Sequence, residues 1–182
     1  ILDSILIVRL VGRYAENATA LYGLYSGGAA TLINLPVSVC YGLAAASVPA
    51  LAALCARGNA SAAEEKALFA VKCTLFVSLP AAAFLLCYPS QLAGFLFRSI
   101  AGTEGAMLAR LVRASALSSV FLALTQTLSA CLTGMGRAKT AAAAMTLAVS
   151  VKLILECILL RVPQISVLGA AYASAACYLV AL

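Results

Sequence analysis

The sequence predicts an all-α fold, a polytopic transmembrane helix bundle. Of the 182 residues, 64% are hydrophobic and only 10% are charged, and the mean hydropathy is +1.07. A soluble domain carries roughly a quarter charged residues, so this chain lacks the polar surface that water requires. Its apolar residues also come in long Ala- and Leu-rich runs without the strict alternation of strands or lipid-facing barrels. The runs must therefore be helices that face lipid.

The apolar runs divide into about six predicted spans when each is given the roughly 20 residues that a hydrocarbon core requires. Polar connectors separate them, and in the second connector Ser61 and Glu64 resemble a capping box. The sequence begins and ends inside apolar runs, so we expect the first and last spans to be truncated parts of a longer protein. The predicted spans cover residues 1–11, 28–56, 67–97, 108–134, 140–160 and 167–182.

Two prolines interrupt the second predicted span. Pro36 and Pro49 each lack a backbone N–H and are expected to bend the helix. Two interpretations remain open, a purely structural kink and a flexible gating helix that lines a path, and we group Asn34 with the two prolines. Small residues recur across the spans, which favours close packing in a bundle over independent anchors.

The composition argues against an enzyme. There is no histidine, and the seven cysteines are scattered without a CxxC pair, so neither a metal nor a redox site is predicted. "GMGRAK" lacks the spacing of a phosphate loop, and we expect no cofactor. The net charge of +6 is spread over segments that flank the spans, which is typical of membrane proteins rather than of partners of nucleic acid.

Three ionisable residues, Asp3, Lys152 and Glu156, belong to no predicted loop and lie within the apolar runs. Lys152 is roughly 12 Å from one end of its span and 18 Å from the other, close to the midplane. Glu156 is four residues further and shares its helical face. In one interpretation the two simply neutralise each other; in the other they join Asp3 in a charge network beside a water-filled path.

Arg110 and Arg113 also allow two interpretations. They lie near the beginning of the fourth predicted span and are most simply interfacial side chains that extend to the membrane surface. If that helix begins earlier, the two guanidinium groups become candidate phosphate contacts, because arginine binds phosphate oxygens in a bidentate manner.

Three segments carry a resemblance to a known family. "GAATLINLPVSVCYGLAAASVPALAALCARGN", "LTQTLSACLTGMGRAKTAAAAM" and "VKLILECILLRVPQISVLGAAYASAACYLVAL" resemble, in this order, helices of the stage V sporulation protein B and polysaccharide-biosynthesis branch of the multidrug/oligosaccharidyl-lipid/polysaccharide superfamily. That branch includes relatives of the lipid II flippases. The resemblance covers essentially the whole chain.

The resemblance implies a two-lobed, MATE-like transporter in which residues 1–182 form the C-terminal lobe and the N-terminal lobe is missing. It further implies a multi-pass protein of the bacterial cell membrane that moves a lipid-linked oligosaccharide or peptidoglycan precursor by alternating access. The partners would be that substrate, the bilayer and the missing lobe. The basic residues, six on one side and five on the other, do not set the orientation, but the resemblance places "RGNASAAEEK" and "GMGRAK" in the cytoplasm.

Two departures from the family pattern bear on function. Thr31 stands where lipid II flippases have an arginine. In relatives, sodium is held by an Asn-x-x-x-Asp pair together with an acidic or amide residue on the first helix of the lobe. Lys152 and Glu156 occupy the positions of the pair, and Asp3 matches the residue on the first helix. The lysine ammonium would then replace a mobile cation. Two other functions remain open: a cation-coupled multidrug or metabolite exporter of the same superfamily, and a non-transporting membrane scaffold.

Overall fold

A computed structural model describes residues 2–12, 17–97, 100, 102–160 and 167–182. Nothing is described of the side chains of Leu2, Asp3 and Leu6. Within these ranges every regular element is helical, which confirms the predicted all-α membrane bundle. The helices are α1 (Leu2–Val11), α2 (Ala18–Gly23), a π-helical segment (Leu24–Ala29), α3 (Ala30–Ala56), α4 (Ala60–Cys87), α5 (Pro89–Leu96), α6 (Thr103–Gly134), α7 (Ala138–Leu159) and α8 (Leu168–Ala181).

The second span begins ten residues earlier than predicted. Residues 18–27 were expected to be a connector, but α2, the π-helical segment and α3 form one continuous helix, Ala18–Ala56. Ala18 and Leu24 are buried in the main apolar core. Their packing stabilises a helix in a segment whose small and polar residues had indicated a loop. A single turn of π-helix is often found at functional sites.

The third span is broken rather than continuous. Its first helix, α4, begins at Ala60, where the Oδ1 atom of Asn59 accepts a hydrogen bond of 3.2 Å from the N–H of Ala62. The capping box predicted at Ser61 was therefore wrong, because Asn59 caps the helix two residues earlier. α4 ends at Cys87, and α5 begins at Pro89, a position that suits a residue without an N–H.

Helix α6 is the centre of the bundle. It begins at Thr103, five residues before the predicted start, and it packs against α3, α4, α5, α7, α8 and the π-helical segment. Its most hydrophobic window is 56% buried, whereas the corresponding windows of the other long helices are between 11% and 28% buried. The other helices therefore surround α6 and present their outer faces to lipid.

Glycines allow a close approach at three helix contacts. A Cβ atom at Gly134 of α6 would lie 3.1 Å from both Leu51 Cβ and the Val48 carbonyl oxygen of α3. Gly169 of α8 lies against the backbone of Leu159 in α7 in the same manner, whereas Gly28 of the π-helical segment leaves room for the side chain of Leu108 in α6. The predicted role of small residues in close helix packing is confirmed at these contacts.

Hydroxyl groups also join the helices. Thr74 Oγ1 and Thr127 Oγ1 are 2.8 Å apart between α4 and α6, and both residues are buried. Thr125 Oγ1 of α6 donates to the carbonyl oxygen of Tyr178 in α8 over 3.2 Å. These hydrogen bonds add directional contacts to an interior that is otherwise apolar.

Four helices among the described residues are long and apolar enough to cross a membrane. α8, with 14 residues, is a shorter apolar helix, and α1 has 10 residues. The four long helices are Ala18–Ala56, Ala60–Cys87, Thr103–Gly134 and Ala138–Leu159.

Gly134→Ala is expected to lower the free energy of unfolding by about 1–3 kcal/mol, because the added methyl group forces α6 away from Val48 and Leu51 of α3. Gly42→Ala in α3 is the control: no atom lies within 4 Å of its new Cβ, and the substitution should be neutral or slightly stabilising. Thermal unfolding in detergent measures both. Equal stability of the two variants would contradict the close contact between α3 and α6.

Thr127→Val is expected to weaken the joint between α4 and α6 by removing its hydrogen bond with Thr74. A double-mutant cycle with Thr74→Val should give a coupling energy of about 0.6 kcal/mol, the average for hydrogen bonds between membrane helices. Thr146→Val serves as the control, since the Thr146 hydroxyl bonds only within α7, to the carbonyl oxygen of Ala142. A coupling energy of zero would show that the two threonines do not stabilise each other.

Candidate functional site

The intramembrane charges of α7 form an ion pair. Lys152 Nζ lies 3.5 Å from Glu156 Oε1, and the side chains are 14% and 0% exposed. The predicted interaction along one helix is therefore present. Lys152 is seven residues from the end of α7 at Leu159, roughly 10 Å inside the span, where a lone charge would be costly.

The third predicted member of the charge network lies only partly within the described structure. Asp3 belongs to α1, which packs against α7, so its backbone is in the expected part of the bundle. Its side chain lies outside the described residues, and its interaction with Lys152 stays a prediction.

The residues predicted to bend or gate a helix all lie in α3. Asn34 and Pro49 are exposed and Pro36 is half-buried, and the helix continues through both prolines. Each proline lacks the N–H that would bond to the carbonyl group four residues earlier. A gating role for this helix stays a prediction, but Asn34 borders two cavities.

The structure reveals a polar furrow between α3 and α6 that was not predicted. On α6, polar residues recur at steps of three, four and eight residues, which places them on one face of the helix. On α3, the facing polar residues are also three and four residues apart. We define the polar furrow as Asn34, Ser38 and Tyr41 of α3 with Ser115, Ser118, Gln126, Ser129 and Thr133 of α6.

The polar furrow is nearly as long as a membrane is thick. Eighteen residues separate Ser115 from Thr133 on α6, which corresponds to about 27 Å along the helix. A hydrocarbon core is about 30 Å thick. A stripe of this length would be unfavourable against lipid, and it is suited to a path for polar cargo.

Three cavities lie along the polar furrow. An inner pocket of about 60 Å³ is bordered by Tyr25, Asn34, Ser115, Ser118, Ser174 and Tyr178. A middle cavity of about 190 Å³ and an outer cavity of about 360 Å³ follow, and Tyr41 and Gln126 border both. The Tyr25 hydroxyl lies 3.0 Å from Ser174 Oγ across the inner pocket, which connects the π-helical segment with α8.

Several polar atoms of the furrow are buried without a hydrogen-bond partner among the described residues. They are Ser115 Oγ, Ser118 Oγ and Gln126 Oε1. By contrast, the hydroxyls of Ser38 and Thr133 donate to carbonyl oxygens of their own helices. A buried polar atom without a partner is uncommon in folded proteins, and a group at such a position is available to a ligand.

The arginines of α6 lie away from the polar furrow. The early start of α6 places Arg110 and Arg113 inside the helix, and both are exposed. At 3.6 residues per turn, Arg113 lies on roughly the opposite side of α6 from Ser115 and Ser118, whereas Arg110 lies only about 80° around the helix from Ser118. Neither arginine borders the furrow cavities. Their contact with phosphate stays a prediction, and it would take place outside the furrow cavities.

A larger cavity, about 1000 Å³, lies elsewhere, between α6, the beginning of α7 and the end of α8. Its walls are mostly apolar, and its charged residues, Arg137 and Lys139, are exposed in and next to the loop between α6 and α7. No buried polar atom without a partner borders it among the described residues. The polar furrow is therefore the better candidate for specific binding.

The sequence contains a signal for the polar furrow that hydropathy conceals. The serines and threonines of α6 are too weakly polar to interrupt an apolar run, so the segment is identified only as a span. Their helical spacing, together with the matching spacing on α3, would have identified the face. Ser174 and Tyr25 are detected only in the fold, because 149 residues separate them.

One comparison with known proteins identifies a family. The family model of MatE matches residues 2–158. No curated protein and no solved structure gives a significant match.

Among the described residues, no group of three His, Cys, Asp or Glu side chains lies close enough to hold a metal ion.

Lys152→Met is expected to destabilise the protein by about 3 kcal/mol, because the buried Glu156 carboxylate loses its cationic neighbour. Lys139→Met, at the exposed beginning of α7, is the control and should leave the thermal unfolding temperature in detergent almost unchanged. Adding Glu156→Gln to Lys152→Met should recover part of the loss, since the substitution replaces the buried carboxylate with a neutral amide.

Asp3→Asn combined with Lys152→Met tests the third member of the network. If Asp3 and Lys152 are paired, the double variant should be more active in transport than Lys152→Met alone. A double variant no better than either single one would show that they are not paired.

Proposed function

Because the chain belongs to the MatE family, whose members are membrane transporters rather than enzymes, we propose that it is the C-terminal lobe of a flippase for lipid-linked oligosaccharide or peptidoglycan precursor. The flippase would act in the bacterial cytoplasmic membrane. A second, N-terminal lobe of the same protein would form the opposite wall of the path. Alternating access would expose the polar furrow first to one membrane face and then to the other.

The polar furrow is the observation that carries this proposal. It extends for about 27 Å along α6 in a bundle whose other exposed surfaces are largely apolar. A lipid-linked precursor has a polar head that must cross the hydrocarbon core and an apolar chain that stays in it. A lateral polar furrow on an apolar lobe suits both parts of such a molecule.

The ordered sequence motifs support the flippase branch over other transporters. They lie in α3, at the junction of α6 and α7, and in α7 and α8, and these helices contribute residues to the three furrow cavities. The motifs thus belong to the part of the lobe that borders the path.

A cation-coupled exporter is the second candidate, and the buried Lys152–Glu156 pair favours it. If helix movement separates the lysine ammonium from Glu156, the carboxylate can bind a proton or a sodium ion instead. The described cavities of the furrow, however, are bordered by no carboxylate. An exporter of cationic drugs would need one to compensate for the charge of its cargo.

Translocation measured in proteoliposomes tests the proposal. The complete protein is expected to move a fluorescent undecaprenyl-linked precursor to the leaflet where an added quencher reaches it, and vesicles without protein are the control. Efflux of a cationic dye driven by an ion gradient, without movement of the precursor, would instead establish the exporter. If the folded protein shows neither translocation nor efflux, the result would support a non-transporting scaffold.

A further inference from the structure

We infer that the polar furrow is the subsite for the sugar portion of the substrate and that the phosphate groups of the same substrate bind elsewhere. This inference rests on the proposed flippase function and deepens it. It assigns the neutral, hydroxyl-rich part of the molecule to α3 and α6.

The polar atoms of the furrow have the chemistry of a carbohydrate site. Amide and hydroxyl side chains both donate and accept hydrogen bonds, and sugar hydroxyls do the same. Asn34 and Gln126 provide the amides, and Ser115, Ser118 and Ser129 provide hydroxyls. Every polar group of the furrow is therefore able to pair with a sugar hydroxyl without a change of protonation.

The buried atoms without a partner show where the hydrogen bonds are incomplete. Gln126 Oε1 accepts no hydrogen bond from the described residues, although this residue borders both the middle and the outer cavity. Ser115 and Ser118, 3% and 2% exposed, direct unpartnered hydroxyls to the inner pocket. A ligand hydroxyl that donates to Gln126 Oε1 would give this amide oxygen the hydrogen bond that it lacks.

An aromatic ring occupies the middle of the furrow. Tyr41 is 56% exposed and borders the same two cavities as Gln126. Aromatic rings present a large rigid face for apolar contact and, in tyrosine, a polar hydroxyl at the end. The C–H face of a sugar ring is able to pack on Tyr41 while its hydroxyls reach the amides of Asn34 and Gln126.

Size is consistent with this assignment. The outer cavity has a volume of about 360 Å³ and the middle cavity about 190 Å³, and together they are in the range of small-molecule sites, roughly 300–1,000 Å³. The inner pocket, about 60 Å³, accepts at most a single substituent or water. The sugar rings would therefore lie beside Tyr41 and Gln126.

The described lining of the furrow offers no charged side chain to bind the phosphates. Pyrophosphate oxygens are bound by arginine or lysine, and no charged residue borders the three cavities in the part of the chain that the structure describes. Neither Arg110 nor Arg113 borders these cavities. A dianionic group in the furrow would gain no compensating charge from the described residues of this lobe.

Binding of two lipids by the complete protein in nanodiscs tests the inference. The probes are undecaprenyl pyrophosphate that carries a disaccharide and the same lipid without sugar. Gln126→Leu is expected to weaken binding of the glycosylated lipid about tenfold, the effect of one lost hydrogen bond of about 1.4 kcal/mol, and to leave the sugar-free lipid unchanged. Gln91→Leu, on the exposed surface of α5, is the matched control and should change neither.

Ser118→Ala is the second variant, because it removes only one oxygen atom and should not disturb folding. It should weaken binding of the glycosylated lipid threefold to tenfold without affecting the sugar-free lipid. Equal loss for both lipids, or no loss for either in both variants, would overturn the sugar subsite.

The wild-type protein separates this inference from the proposed function. If it translocates the glycosylated precursor and the two variants behave like wild type, the flippase stands and the sugar subsite is wrong. If wild type binds neither lipid and exports a cationic dye, the flippase is wrong, and the sugar subsite is overturned with it.

Discussion

The close packing of α6 against its neighbours is the constraint on which the bundle depends. Gly134 lies against Val48 and Leu51 of α3, and Thr127 meets Thr74 of α4 through a hydrogen bond of 2.8 Å. Between lipid-exposed helices there is little hydrophobic driving force, so van der Waals contact and hydrogen bonds must hold the helices together. Small and hydroxyl-bearing residues supply both, which explains why the central helix is also the one richest in buried serine and threonine.

The same residue types that allow this packing also create the polar furrow. Serine and threonine are small enough for close contact between α6 and its neighbours. Where cavities separate α3 from α6, the same side chains present polar hydroxyl groups to the cavities. On a face of α6 away from the furrow, the hydroxyl of Thr127 finds a partner in α4. Ser115 and Ser118, which border the furrow, find none among the described residues. Helix packing and the polar furrow thus use the same residue types on one helix.

The ionic interaction lies on a different helix from the furrow, and this separation has a physical sense. Lys152 and Glu156 lie 3.5 Å apart in α7, so their charges compensate each other in a region of low dielectric. The cavities of the furrow are bordered only by neutral side chains in the described part of the chain. The buried charges of α7 thus compensate each other within their own helix, and neither residue borders the furrow cavities.

The sequence by itself determined the membrane class and the all-α fold. It also placed Glu156 on the same helical face as Lys152, but it left open whether Lys152 pairs with Glu156 or with Asp3, and the structure supplied the Lys152–Glu156 pair. Hydropathy depends on composition over some 20 residues, and an interaction four residues apart is local to one helix. The tertiary structure decided that residues 18–27 join the second span, where Ala18 and Leu24 pack in the main apolar core. It also decided the furrow, since the polar residues of α6 border the cavities together with Asn34 and Tyr41 of α3. Contacts between residues far apart in the chain are set by packing, which no local pattern records.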